Sequence, residues 1–177
     1  MATVAFLKGV NVGGHRRLRP AVLADQLRRF DVVNIGSTGT FVVFEPVDRG
    51  DLRAEITGRV PFLVEVMICE GREIRRFVSG APFAGHVADR DVVPFVGVMA
   101  RRTRTPLTFP LTFPVANDWY VKALGFHGQF VLGLYRRQMK TIGCFGQLEK
   151  SIRAPLAIRS WNTILAVDKA LAVRAIE

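Results

Sequence analysis

Apolar and polar positions along the first seventy residues alternate between two periods. Residues 3–10 (TVAFLKGV) alternate little and read as a strand buried on both faces. RPAVLADQLRRF (19–30) places Val22, Leu23, Leu27 and Phe30 at helical spacing, with Pro20 in the first turn, where a missing N–H costs nothing. VVNIG and TFVVFEP read as two strands around an STG turn. In DRGDLRAEITGRV (48–60), Leu52, Ile56 and Val60 recur every four residues, as on one face of a helix, and Pro61 stops the pattern. FLVEVMICE is a further apolar strand. The order is β-α-β-β-α-β, the split βαβ or ferredoxin-like arrangement with an antiparallel sheet. A short helix, GREIRRFVSG, follows.

The second half is richer in strand. DVVPFVGVMA (91–100) is one strand, and LTFPLTFP (107–114) is extended but confined by Pro110 and Pro114 to an edge or an irregular segment. DWYVKALGFHGQFVLGLY (118–135) is a hairpin turning at FHGQ. CFGQLEKSI is a short helix, and SWNTILAVDKALAVRA (160–175) is a final helix with Ser160 as its expected N-cap. The expected class is therefore α+β, with two α/β subdomains. The first, over 1–79, is ferredoxin-like; a link covers 80–91; the second, over 92–177, is more strand-rich and carries the C-terminal helix.

Composition changes this picture little. A chain of 177 residues, 49% hydrophobic, has enough apolar material to fold without disulfide or metal staples. Its apolar runs stop short of the ~20 residues of a membrane span, and VAFL is too short for a leader's apolar region, so a soluble cytoplasmic protein with two reduced thiols, Cys69 and Cys144, is expected. Cys69 reads as core, and Cys144, beside glycines and near Lys140, as the more reactive candidate. The net charge of +10 favours anionic partners such as nucleotides or nucleic acid. Arginine enrichment in an Ala/Val-rich chain also follows from a GC-rich genome, so charge points to a class of partner only.

The candidate chemistry begins at VAFLKGVNVGGHRR (4–17). Its Gly9-x-x-x-Gly13-Gly14 spacing matches neither the dinucleotide fingerprint nor a P-loop, and His15 to Arg19 separate the glycines from any helix. What remains is an anion nest of backbone N–H groups with Lys8, Arg16 or Arg17 nearby, or a plain turn requiring positive φ. His15, His86 and His127 stand on separate loops without a second ligand at metal spacing, acidic residues are sparse, and no nucleophile motif occurs. No catalytic residue, metal or cofactor is expected from these residues, and they compel no enzyme.

Three ordered stretches resemble one family. VAFLKGVNVGG is similar to the opening strand and R-G-I-N-V-G-G run of the DUF1697 family, a domain of unknown function. VVNIGSTGTFVVFEP (32–46) resembles its strand, S-G-N turn and V-V-F strand, and IRSWNTILAV (158–167) its R-N-W-N-T helix opening. The resemblance implies two related α/β subdomains and no reaction. Asn11, Gly13 and Gly14 stand unchanged, while Lys8 replaces the usual Arg. Thr38 and Gly39 fit the second motif, with Thr40 where Asn is usual. Arg159, Trp161, Asn162 and Thr163 match the third, with Ser160 in place of Asn. Lys8, Asn11, Gly13, Gly14, Thr38, Gly39, Arg159, Trp161 and Asn162 form the candidate ligand set, expected to converge on a cleft between subdomains. The expected function is a binding module for an anionic ligand, nucleotide or nucleic acid. An enzyme acting on a small phosphorylated or carboxylated metabolite is the alternative.

Overall fold

Strand β1 (Thr3–Leu7) is buried along its entire length. Successive side chains of a strand point to opposite faces, so this strand needs a covering layer on each side. In the computed structural model, which describes residues 1–86, 89–115 and 118–174, β1 lies between β3 (Thr40–Val43) and β4 (Val66–Glu70), with β2 (Val32–Ile35) outside β3. All neighbours are antiparallel and the order is β2-β3-β1-β4, as the β-α-β-β-α-β reading requires.

One face of this sheet carries Ala5, Leu7, Phe41, Val43, Val66 and Ile68. They form a core with Leu23 and Leu27 from the α1 (Pro20–Gln26) segment and Leu52 and Ile56 of α2 (Arg49–Thr57). Proline opens α1, and the Asp48 carboxylate caps α2 by accepting from the Gly50 amide at 2.6 Å. Val4, Phe6, Val42, Met67 and Cys69 are equally buried on the other face. Helices α3 (Gly71–Ser79) and α5 (Trp161–Val173) contribute the buried stripes Ile74 and Phe77, and Ile164, Val167 and Leu171. Leu171 sits so close to Gly71 that a Cβ there would lie 2.7 Å from it. Arg75 meets Asp168 at 3.8 Å, and Arg174 pairs with Asp31 and stacks over Phe44.

The chain divides into two units, Met1–Gly80 with Asn162–Glu177, and Ala81–Trp161. This division differs from the sequence-order subdomains in the last helix, which from Asn162 clusters with the first unit instead of the second. Its apolar stripe and its pairs to Arg75 and Asp31 hold it there. Residues 81–86 and 89–91, read as a link, cluster with the second unit; 87–88 lie outside the described residues.

The second unit is a five-stranded sheet in the order β6-β7-β8-β5-β9, again antiparallel throughout. Its strands are β5 (Val92–Val98), β6 (Leu111–Phe113), β7 (Val121–His127), β8 (Phe130–Arg136) and β9 (Ala157–Ser160). Helix α4 (Thr141–Ile152) covers one face, with Cys144, Leu148 and Ile152 against Phe95, Val121, Ala123 and Val131. The Phe145 ring meets Phe95 edge-on at 5.0 Å. The proline-flanked β6 is an edge strand, where prolines lacking an N–H are tolerated. The hairpin turns at Gly128 and Gln129, as its sequence predicts. Strand β9 is not foreseen. Ser160, the expected N-cap, immediately precedes α5 and is also the last residue of β9, paired with Phe95.

Gly39 ties the β2–β3 turn to β1. It adopts φ +74°, its carbonyl accepts from the Leu7 amide at 2.8 Å, and a Cβ would lie 2.9 Å from Leu7 Cβ. Gly36, in the same turn at φ +69°, faces open space. Gly36→Ala should cost about 1 kcal/mol, from the left-handed conformation alone. Gly39→Ala should cost at least about 1 kcal/mol more, because Leu7 Cβ cannot move aside. Equal denaturant midpoints for the two variants would disprove the close approach.

Candidate functional site

The segment leaving β1 folds back through five residues of positive φ: Gly9, Asn11, Gly13, Gly14 and Arg16. Glycine adopts this conformation freely, and asparagine tolerates it better than most other residues. Asn11 does more than tolerate it. Its Nδ2 donates to the Leu18 carbonyl at 2.9 Å and the Ser37 carbonyl at 2.7 Å, and its Oδ1 accepts from the Leu18 amide at 2.8 Å. Both amide hydrogens are thus committed inside the protein. Asn11 is a clasp that closes the loop on itself and fastens it to the β2–β3 turn.

With the loop closed, Asn11, Gly14, Arg17, Leu18 and Arg19 line a surface depression of about 520 Å³. Gly13 and Gly14 are exposed, and their amides donate to no protein acceptor among the described residues. Arg16, Arg17 and Arg19 are exposed and, among the described residues, carry no carboxylate partner. Arg17 Nε reaches only the Gly14 carbonyl, at 3.4 Å. Lys8 differs: its ammonium lies 3.9 Å from Glu65, and its backbone amide is bonded to the Glu65 carbonyl.

The second motif lies against the first. Thr38 is half-buried, Gly39 is buried against Leu7, and Thr40 is fully buried in β3, paired with Phe6 and Ile35. Thr40, where the resembled motif has Asn, is thus an interior strand residue rather than a surface group. The structure brings Asn11 and the 37–39 turn together.

Arg159 and Trp161 belong to the second unit, and Asn162 is exposed in the first turn of α5. Arg159 pairs with Val96 in the sheet and is 5% exposed. Its Nη1 donates to the Ile158 carbonyl at 2.8 Å, and burial lowers its pKa to about 10, which leaves it charged at neutral pH. Trp161 is half-buried and meets the Phe83 ring edge-on at 5.1 Å.

Cys144 is not the reactive thiol its sequence neighbours suggested. It faces the core of the second unit from α4, and burial raises its pKa. Cys69, fully buried in β4, is raised further, first by burial and then by Glu73. Among the described residues no group of three or more His, Cys, Asp or Glu could hold a metal ion, and no helix is long and apolar enough to cross a membrane. The role of Asn11 as a clasp was invisible in the motif itself, because its partners Leu18 and Ser37 stand 7 and 26 residues away.

Among the described residues, two antiparallel sheets and five α-helices, with a clasped Gly-rich turn after the first strand, define an α+β protein of two units. The family described as "Protein of unknown function (DUF1697)" matches residues 1–103, and the chain belongs to that family. Among solved structures, a conserved bacterial protein from Streptococcus pneumoniae is similar in fold, with a TM-score of 0.57 at 10% identity, over 95% of this chain and 97% of that one. No curated protein matches the chain by sequence.

Two predictions follow from this geometry. Asn11→Gly keeps the positive φ but removes three hydrogen bonds, so it should lower stability by about 1–3 kcal/mol in denaturant melts. A change within error would show that the clasp contributes nothing. Native protein should react with neither thiol when mixed with a disulfide reagent such as DTNB, whereas the guanidinium-unfolded chain should titrate two. One fast thiol in the native state would place Cys144 in contact with solvent.

Proposed function

We propose that this protein is a binding module for an anionic ligand, the phosphate of a nucleotide or nucleic acid, received at the Gly-rich turn. The observation that carries the reading is the depression lined by Asn11, Gly14, Arg17 and Arg19, where, among the described residues, the Gly14 amide and that of adjacent Gly13 donate to no protein acceptor and the arginines have no carboxylate partner. Backbone N–H groups and guanidinium forks are the donors that phosphate oxygens accept most strongly. In this reading Asn11 shapes the site without touching the ligand, because its carboxamide hydrogens are already used. Gly39 and Thr38 act likewise, through the turn that Asn11 holds. Lys8 adds positive potential partly offset by Glu65. Arg159, Trp161 and Asn162 complete the candidate set as groups outside the turn. The protein would perform this role in the cytoplasm.

Thermal melts with pyrophosphate and with ATP test the reading. Either probe should raise the melting midpoint saturably. Arg17→Gln combined with Arg19→Gln should weaken that probe by at least about tenfold, since a hydrogen bond to a charged group contributes about 1.5–3 kcal/mol. Failure of both probes, or an unchanged affinity in the double variant, would refute the assignment to the turn.

A further inference from the structure

The positive charge of the chain is not shared evenly between its units. The second unit, Ala81–Trp161, holds eleven Lys or Arg against four Asp or Glu, a net +7 out of the total +10. The first unit, Met1–Gly80 with Asn162–Glu177, holds fourteen against eleven. A genome that enriches arginine would raise the basic count. Here the basic residues are no denser in the second unit; the acidic ones are scarcer. In the first unit many arginines outside the Gly-rich turn find partners, as Arg29 and Arg59 do on Glu55 and Arg49 on Glu70 and Glu73. Among the described residues, Arg101, Arg102, Arg104, Arg136 and Arg137 have none. Charge left unneutralised within a small unit destabilises the compact state by self-repulsion, which an external polyanion relieves.

The sheet of this unit also offers a platform for such a partner. Val121 and Ala123 of β7 and Tyr135 of β8 face α4, so Lys122 and Arg136 point to the opposite face. There they flank the indole of Trp119, with the Lys122 ammonium 5.5 Å and the Arg136 guanidinium 4.7 Å from the ring centroid. Leu132 and Leu134 follow along the same face of β8 and are only half-buried. At the far end of the hairpin the Arg102 guanidinium lies beside Gly128. Basic groups with an aromatic ring thus stand at the open end of a ribbon about 20 Å long and Arg102 at the other, with the half-buried leucines between them.

We propose that the β7–β8 ribbon of the second unit binds single-stranded nucleic acid. Guanidinium and ammonium groups at its two ends contact the phosphates, and bases stack at Trp119 and lie over Leu132 and Leu134. A positively charged track combined with a stacking platform suits single strands, whose bases are free to turn toward the protein. A duplex presents only its phosphates to such a flat surface. The ribbon belongs to the second unit, and the proposal does not depend on the reading given for the Gly-rich turn.

Fluorescence anisotropy of a labelled twenty-residue oligo-dT, titrated with the full chain at several salt concentrations, tests the proposal. Lys122→Gln with Arg136→Gln should weaken binding by at least about tenfold and flatten the log–log salt dependence by about 1.4, or 0.7 for each lost phosphate contact. Trp119→Leu should weaken it by about tenfold, whereas Trp119→Phe, which keeps a stacking ring, should stay within about twofold. Circular dichroism melts confirm that each variant is folded. Arg16→Gln with Arg17→Gln and Arg19→Gln should leave oligo-dT binding unchanged, whatever it does to pyrophosphate or ATP. The proposal is overturned by absence of oligo-dT binding, by full binding in the Lys122/Arg136 variant, or by duplex binding as tight as single-strand binding. Loss confined to the Arg16/Arg17/Arg19 variant would overturn it and leave the turn as the nucleic-acid site. Retention on phosphatidylglycerol vesicles without oligo-dT binding would overturn it in favour of a lipid surface.

Discussion

The double burial of β1 is the constraint on which the first unit depends. Thr3 to Leu7 send apolar side chains to both faces of the sheet, so a single helical layer would leave Val4 and Phe6 in water. Helices α1 and α2 fill one side, and they are local, each adjacent in sequence to the strands it covers. The buried stripes of α3 and α5 belong to the other layer, and α5 comes from the far end of the chain. The chain therefore completes its first unit only after the entire second unit has been made. Contacts of such long sequence separation carry a loop-closure cost that local helices avoid.

Asn11 shows how the same fold presents a surface. A loop rich in positive φ would otherwise be free to sample many shapes, and ordering it costs conformational entropy. Three hydrogen bonds from one carboxamide fasten it to Leu18 and to the Ser37 carbonyl in the next turn. Gly39 brings that turn onto Leu7. The conformation of the arginine-bearing loop is thereby coupled to the central strand. Polar residues of the opening motif serve the scaffold, and the groups left for a ligand are backbone amides and the arginines just after the motif.

Charge is organised on the scale of units rather than of motifs. The arginines look scattered in the linear sequence. Only the division into units shows that carboxylates accompany them in one half and are scarce in the other. The Trp119 cluster likewise joins residues from the start of β7 and the end of β8, brought together because a hairpin places its two open ends side by side.

Periodicity and turn chemistry, both short-range, were enough to read the β-α-β-β-α-β order and the hairpin at Gly128, and to narrow the proline-flanked segment to an edge strand or an irregular one. The three family motifs were legible for the same reason: each is a contiguous run. Strand β9 was not, because Ala157–Ser160 is too short to show a period and earns its place only by pairing with β5. Cys144 was misread because glycine neighbours suggest exposure, while the α4 face that carries it turns inward. The attachment of α5 to the first unit, the burial of Thr40 and Arg159, and the commitment of the Asn11 carboxamide all required the tertiary structure. Each depends on partners dozens of residues away or on the opposite side of a strand, where local sequence holds no record of distance.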